Sequence, residues 1–212
     1  MISQFVRNRL LPIAMVAGLA LGAASAHAAL LTASDSTFGS FDANSGTRTF
    51  TLGAGSISDV NISITFAKCD DPALNASSTA CVGQGFSFNR EIVFRLTSAQ
   101  GTVVNLVNQD TYSGQTPGSG IHTVDFDDAA STTVGGPSVV SGHFRPVGLL
   151  SALNGEGAAG TWSLFIQDTA SSDPLAYFRS TLTVTTVPEP GSLALVGVAL
   201  LGLAGLKRRK AV

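Results

Sequence analysis

Hydrophobic and polar residues alternate with a period of two in four stretches of the chain. Apolar side chains occupy every second position, and mostly polar residues stand between them. The stretches cover residues 60–66, 92–96, 162–166 and 182–184. This period is that of a β-strand with one buried face. Segments rich in Gly, Ser and Pro, such as 113–120 and 135–138, predict turns between the strands.

The body of the chain is therefore predicted to be all-β. It contains no segment of helical period long enough to supply a crossover between parallel strands. Two antiparallel sheets packed face to face are the expected architecture. Trp162 lies in one of the alternating stretches, and we expect its indole to pack in the core.

The N-terminal residues have the pattern of a secretory signal peptide. Arg7 and Arg9 precede an uncharged apolar run over 10–24, and Ala26-His27-Ala28 follows. Small residues at the first and third positions of that triplet suit signal peptidase, so cleavage after Ala28 is predicted. The alternative, a retained N-terminal anchor, does not account for the small-x-small site.

A second apolar run of 15 residues, 192–206, lies near the C-terminus and is followed by Lys207, Arg208, Arg209 and Lys210. As a helix the run is roughly 22 Å long, short against a hydrocarbon core of about 30 Å. Transient insertion is expected, with the basic end in the cytoplasm and the body of the protein outside. A buried core helix is the alternative, and it would have to end on four consecutive cations.

Charge and cysteine content describe the part between the two ends. Residues 29–187 contain 6 Lys/Arg and 13 Asp/Glu, a net charge of −7, so we expect no nucleic-acid partner. Cys69 and Cys81 are spaced to close a loop, and export permits their oxidation. A disulfide there stabilises by about 3 kcal/mol in the chain-entropy model. Two free buried thiols remain the alternative at this point.

The C-terminal segment resembles a known sorting signal. Val187-Pro188-Glu189-Pro190, the apolar run and the terminal Arg/Lys cluster follow in the order of the PEP-CTERM signal. The resemblance implies a Gram-negative host and cleavage near Pro-Glu-Pro by a membrane-embedded exosortase. It also implies a precursor held transiently in the inner membrane and a mature protein at the cell surface or in the extracellular polysaccharide of a biofilm matrix. The two prolines agree with this, because they disfavour helix and sheet and leave an extended segment.

The central part resembles the P domain that follows the catalytic domain of proprotein convertases and bacterial subtilisin-like proteases. The resemblance covers roughly residues 40–186 and is most specific over 125–168. The residues that carry it are 58–64, 91–96, 101–102, 124–130, 142–146, 153–156, 160–164 and Asp168. It implies a jelly-roll-like β-sandwich. The insert between Phe66 and Glu91 is longer than the usual connection, and Glu91 stands where an aspartate is often found.

The predicted organisation is a signal peptide over 1–28, a P-domain-like sandwich over 29–186 and a sorting signal over 187–212. About a dozen residues lie between the cleavage site and the start of the resemblance, too few to hold a catalytic triad. The mature part contains two histidines, His122 and His143, and neither a Gly-x-Ser-x-Gly nor a His-Glu-x-x-His motif. The chain is therefore not expected to be an enzyme, and no cofactor is required.

Asp125, Asp127 and Asp128 are the best candidates for a metal site. Calcium takes six to eight oxygen ligands, and Asp125 and Asp127 point to the same face if they lie in a strand. Glu156 and Asp168 are further acids that could approach a structural calcium ion from other loops. The alternative is that these acids cap turns.

Three functions remain open from the sequence. The first is a non-catalytic structural or interaction module, with exopolysaccharide or another surface protein as its partner and with signal peptidase and exosortase as processing enzymes. The second is an accessory domain that docks onto a separately encoded secreted protease, which an apolar patch on one sheet would favour. The third, a hydrolase of matrix polymers, requires a cleft with converging polar groups.

Overall fold

The computed structural model describes residues 28–69, 73–82, 85–117 and 120–187. Most of the predicted signal peptide and the sorting segment beyond Val187 lie outside them. The described strands are β1 (Ala29–Asp35), β2 (Gly39–Phe41), β3 (Ser45–Leu52), β4 (Ser56–Lys68), β5 (Phe86–Phe88), β6 (Ile92–Thr97), β7 (Val103–Val107), β8 (Gln115–Pro117), β9 (His122–Phe126), β10 (Gly142–Phe144), β11 (Gly160–Asp168) and β12 (Leu175–Val187). Short 3-10 turns cover Asn89–Glu91 and Leu150–Leu153.

The strands form a β-sandwich, which confirms the predicted fold class. Sheet A has the order β1-β12-β4-β9-β10, with β2 also paired to β12, and sheet B has the order β3-β11-β6-β7. Strands β5 and β8 form a separate two-stranded ribbon. Within the two sheets the pairs are antiparallel except β9–β10, where the short strand β10 runs parallel to its neighbour.

The alternating residues fill the space between the sheets. The four stretches of period two became β4, β6, β11 and β12, the long central strands. Their apolar side chains form one buried cluster, in which the rings of Phe66 and Phe94 lie 4.9 Å apart, edge to face. Trp162 is fully buried, and its Nε1 donates to the carbonyl of Ala158 at 2.9 Å, as expected of a core indole.

The sandwich also includes strands that precede the region of P-domain resemblance. Strand β1 pairs with β12 over its whole length, and β2 pairs with the start of β12. The alternation in β1 is weak because Leu30 faces solvent while the smaller Ala33 faces inward. Strand β12 ends at Val187, so the last strand includes the residue expected to open the sorting signal.

The strand directions give the sandwich two distinct ends. At the end that we call the base, Ala29 lies opposite Thr186 and Ser56 opposite Val187. The base comprises residues 28–30, 53–56, 98–103, 155–160 and 185–187. Backbone bonds join its loops: Ile57 donates to Glu156, and Ala158 donates to Gly55, both at 2.8 Å. The opposite end, the top, comprises Lys68, the segment that follows it and the loop 169–174.

Candidate functional site

A polar groove lies on the outer face of sheet A. Strand period places outward-facing side chains of β4, β9, β10 and β12 side by side, and the register sets Ser63 opposite Asp125. The groove is lined by Asn61, Ile62, Ser63, Asp125, Phe126, Asp127, His143, Thr181 and Thr183. It therefore combines hydroxyl, amide, carboxylate and imidazole groups.

Two carboxylates, Asp125 and Asp127, and one imidazole, His143, line the groove. His143 Nδ1 lies 3.6 Å from Asp125 Oδ2, and the imidazole is 79% exposed against 35% for the carboxylate. His143 is thus a surface histidine on a strand, as expected. Asn61 Nδ2 donates to Asp59 at 2.9 Å, whereas Asn61 Oδ1 is buried and accepts no hydrogen bond. His143 and Asp125 are thus the groove side chains whose hydrogen-bonding groups are accessible to a polar ligand.

Two of the three candidate calcium ligands hold turns. The Asp128 carboxylate accepts the backbone N–H groups of Leu150 at 2.9 Å and Ser151 at 2.8 Å, where the 3-10 turn begins. Asp127 Oδ1 accepts from the N–H of Ala129 at 2.7 Å. Among the residues that the structure describes, no group of three or more His, Cys, Asp or Glu side chains is arranged to hold a metal ion. Structural calcium at Asp125, Asp127 and Asp128 stays a prediction.

The other two acids expected near that cluster lie at opposite ends of the sandwich. Glu156 is at the base, where it accepts hydrogen bonds from Ser98 Oγ at 2.6 Å and from Thr102 Oγ1. These bonds tie the β6–β7 hairpin to the loop before β11. Asp168 ends β11 at the top. The structure therefore does not bring Glu156 and Asp168 together.

A buried ionic cluster occupies the top of the sandwich. The ammonium group of Lys68 contacts Glu91, Asp173 at 2.7 Å and Asp168 at 3.4 Å. The side chains of Lys68, Asp168 and Asp173 are almost completely buried. One cation thus faces three carboxylates in an environment that opposes net charge.

Burial and pairing set the protonation of this cluster. Burial raises the pKa of Asp168 to about 7, although the charge of Lys68 opposes the rise. Burial alone would lower the pKa of Lys68, but its hydrogen bonds with Asp173 and Glu91 outweigh that, so the pKa lies above its ordinary value. Near neutral pH the lysine is charged while Asp168 is partly protonated, which reduces the excess negative charge.

The same carboxylates also hold the local backbone. Asp168 Oδ2 accepts from the N–H of Leu175 at 3.1 Å, and Asp173 Oδ2 accepts from the N–H of Phe88 at 2.5 Å. The cluster thereby joins the ends of β4, β11 and β12 to the segment around β5. Sequence reasoning missed Lys68. The sequence did contain an indication of it: Lys68 is a lysine at the end of an apolar strand, directly before Cys69.

Cys69 and Cys81 form a disulfide with their Cα atoms 5.9 Å apart. The predicted pairing is confirmed, and the alternative of two free thiols is wrong. Cys69 is buried in a small second cluster with Ala67, Leu74 and Ala176. The disulfide follows directly on Lys68, so the covalent and the ionic link act on the same end of β4.

The sorting motif begins where the described structure ends. Val187 is the last residue of β12, and Pro188, Glu189, Pro190 and the basic residues 207–210 lie outside the described residues. In the ranges that are described, no helix has the length and apolar character needed to cross a membrane.

Comparison with known proteins identifies the C-terminal segment. Residues 186–210 match the PEP-CTERM protein-sorting motif. No curated protein matches the chain. The chain is similar to part of the Aeromonas sobria serine protease in complex with its chaperone ORF2, at 15% identity, over 77% of this chain and 28% of that one, with a TM-score of 0.43. It is also similar to FlhE, at 11% identity, over 75% of this chain and 96% of that one, with a TM-score of 0.35.

The chain thus spans less than a third of the length of the protease structure. These two structural likenesses are too distant to support an argument about function. The sorting motif itself is specific, because motif, apolar run and basic end occur together in one segment. The chain is therefore an exported protein that carries a PEP-CTERM sorting signal, is anchored in the membrane before processing by an exosortase and is surface-associated afterwards.

Proposed function

We propose that the mature protein is a non-catalytic structural or interaction module of the cell surface or of the extracellular polysaccharide matrix of a Gram-negative bacterium. The observation that carries this proposal is that three of the candidate metal-binding acids accept hydrogen bonds within the fold. Asp128, Glu156 and Asp168 accept hydrogen bonds that hold turns, hairpins and strand ends. Their oxygens stabilise the sandwich and are not arranged around a substrate.

The groove on sheet A is the proposed contact surface. Its carboxylate, imidazole, amide and hydroxyl groups match the hydrogen-bonding pattern of a polyhydroxylated polymer. His143 is 79% exposed and the Asp125 carboxylate is 35% exposed, so both side chains are accessible to such a polymer.

The test is to replace Asp125 by Asn and His143 by Ala together in the full chain in its native host. The fraction of protein that stays on the cells after washing is then measured. We expect a several-fold larger released fraction, with both processing events unchanged. Asp110→Asn is the matched control, because it removes an exposed carboxylate outside the groove, paired with Arg90. Equal retention of the double variant and the control would contradict the groove as contact surface.

The accessory-to-a-protease alternative has less support. It calls for an apolar patch on one sheet, and the large exposed apolar side chains of the described residues lie instead in loops, edge strands and strand ends. They are Leu30, Val82, Phe86, Val103, Val140, Val147, Leu149 and Val187. The outer face of sheet A is dominated by Thr, Ser, Asn and Asp, which favours a polar partner.

A further inference from the structure

The chain leaves the sandwich very close to its membrane anchor. Strand β12 is held by β1 and β4 up to Thr186 and Val187. Only residues 188–191 separate Val187 from the apolar run that begins at Ser192. The five steps from the Cα atom of Val187 to that of Ser192 span at most about 18 Å when fully extended. The lipid head-group layer alone takes up about 5–8 Å of that distance.

The base is therefore held near the bilayer. After the head-group layer is crossed, at most about 10–13 Å of reach remains, even for a straight segment perpendicular to the membrane. The loops that precede β4 and β11 lie beside the chain exit, because Ser56 pairs with Val187 and Gly157 forms a bridge with Ser56. This part of the base is held at the height of the chain exit.

The composition of the base suits such a position. Of the eleven acidic residues that the structure describes, ten lie outside the residues defined as the base, and Glu156 is the single charged side chain within them. Exposed Asp59 lies next to the base, opposite Thr185. Glu156 is already hydrogen-bonded to Ser98 and Thr102. Leu30, Val103 and Val187 expose 68%, 56% and 43% of their surface there. With this end toward the lipid, an acidic domain keeps most of its carboxylates away from anionic head groups.

We propose that, while the sorting segment is anchored, the base of the sandwich rests on the lipid head groups of the outward-facing leaflet. The long axis of β12 then points away from the membrane. Its 13 residues place the top, with the disulfide and the Lys68 cluster, about 40 Å above the base. The proposal depends on the sorting segment and is independent of any ligand of the groove.

Depth-dependent quenching tests this orientation. The chain from Ala29 to Val212, without the signal peptide, is reconstituted in vesicles of phosphatidylethanolamine and phosphatidylglycerol that contain a lipid with a nitroxide on its head group. A fluorophore is attached at Ala54→Cys in the base or at Ser171→Cys in the top, both exposed positions. We expect several-fold stronger quenching at residue 54 than at residue 171. Equal quenching at both positions, or stronger quenching at residue 171, would overturn the proposal.

A linker variant shows whether the short connection causes the contact. About ten Gly and Ser residues are inserted between Val187 and Pro188, which adds a flexible tether of about 17 Å root-mean-square length. Quenching at residue 54 should fall several-fold, whereas quenching at residue 171 should stay low. Unchanged quenching at residue 54 after insertion would show that the tether does not hold the base in place, and would overturn the proposal.

Discussion

The ammonium group of Lys68 contacts three carboxylates at the top of the sandwich and can neutralise the charge of one of them. The stability of this cluster therefore depends on Lys68. Its side chain is completely buried and contacts Glu91, Asp168 and Asp173. Removing one partner of a buried ion pair costs more than the pair contributes, because the remaining charges lose their compensation. The residue therefore matters more for stability than an exposed lysine would.

Lys68→Met should lower the free energy of unfolding by about 3–5 kcal/mol, because three carboxylates would remain without their cation. Urea unfolding followed by the fluorescence of Trp162, the single tryptophan, measures this. Arg90→Met is the control: the Arg90–Asp110 pair is more than half exposed, so its loss should cost less than about 1 kcal/mol. Similar losses for both variants would contradict a buried, tightly coupled cluster.

The raised pKa of Asp168 predicts a direction for the pH dependence of stability. The pKa is about 7 in the folded protein against an ordinary value of 3.8, so the folded state holds this proton more tightly than the unfolded state. The resulting stabilisation is fully present below about pH 4 and is lost as the pH rises through 7. The melting temperature should fall between pH 5 and pH 8, and less steeply in Asp168→Asn. An identical slope in that variant would contradict the assignment to Asp168.

At the scale of elements, a disulfide and side-chain hydrogen bonds connect the strands in addition to the backbone hydrogen bonds within each sheet. The disulfide closes the segment after β4, and Glu156 joins the β6–β7 hairpin to the loop before β11. Both links act at the ends of central strands: the disulfide begins directly after β4, and Glu156 binds Ser98 directly after β6.

Replacing Cys69 and Cys81 together by Ser should lower the free energy of unfolding by about 3 kcal/mol, since the unfolded chain regains the entropy of the open loop. Denaturant unfolding with and without a reductant measures this loss. The reductant should destabilise the native protein by a similar amount and leave the double variant unchanged. A reductant effect on the double variant would contradict this account.

Glu156→Ala should cost about 1–3 kcal/mol, because the hydroxyls of Ser98 and Thr102 would lose their acceptor in a partly buried site. Thermal unfolding of the variant measures the loss. Asp59→Ala is the control, because Asp59 is exposed and holds only the amide of Asn61. A control variant destabilised as much as Glu156→Ala would argue against a special role for this link.

The sequence predicted the central elements well because their signal is local. A period of two in β4, β6, β11 and β12 follows from one face being buried, and each strand shows it independently. The other eight strands were not predicted from alternation; β1, for example, places Ala33 inward, and β10 has only three residues. The Lys68 cluster could not be predicted, since its members are up to 105 residues apart and meet only through the sandwich topology.

At the scale of the whole molecule, the fold and the sorting signal are directly connected. Strand β1 begins one residue after the predicted signal-peptidase site, and β12 ends one residue before Pro188. Both predicted processing sites thus flank neighbouring strands at the base. The domain is delivered with this end toward the membrane and the disulfide-linked end outward.

Deletion of residues 188–212 should change the destination of an otherwise intact sandwich. The strands end at Val187, so the shortened chain retains every described element. Fractionation of the native host should find the shortened protein in the periplasm or the medium instead of at the cell surface. Surface delivery equal to that of the full chain would contradict the role of the sorting signal.

Intact mass spectrometry of the mature protein from its native host tests the central claim most directly. We expect a chain that begins at Ala29 and has lost the apolar run and the basic residues after a cut near Pro188–Pro190. The disulfide should lower the mass by the two hydrogens lost on oxidation of Cys69 and Cys81. A mature surface protein that retains residues 192–210 would contradict removal of the anchor, and with it the account of a domain sorted by its C-terminal signal.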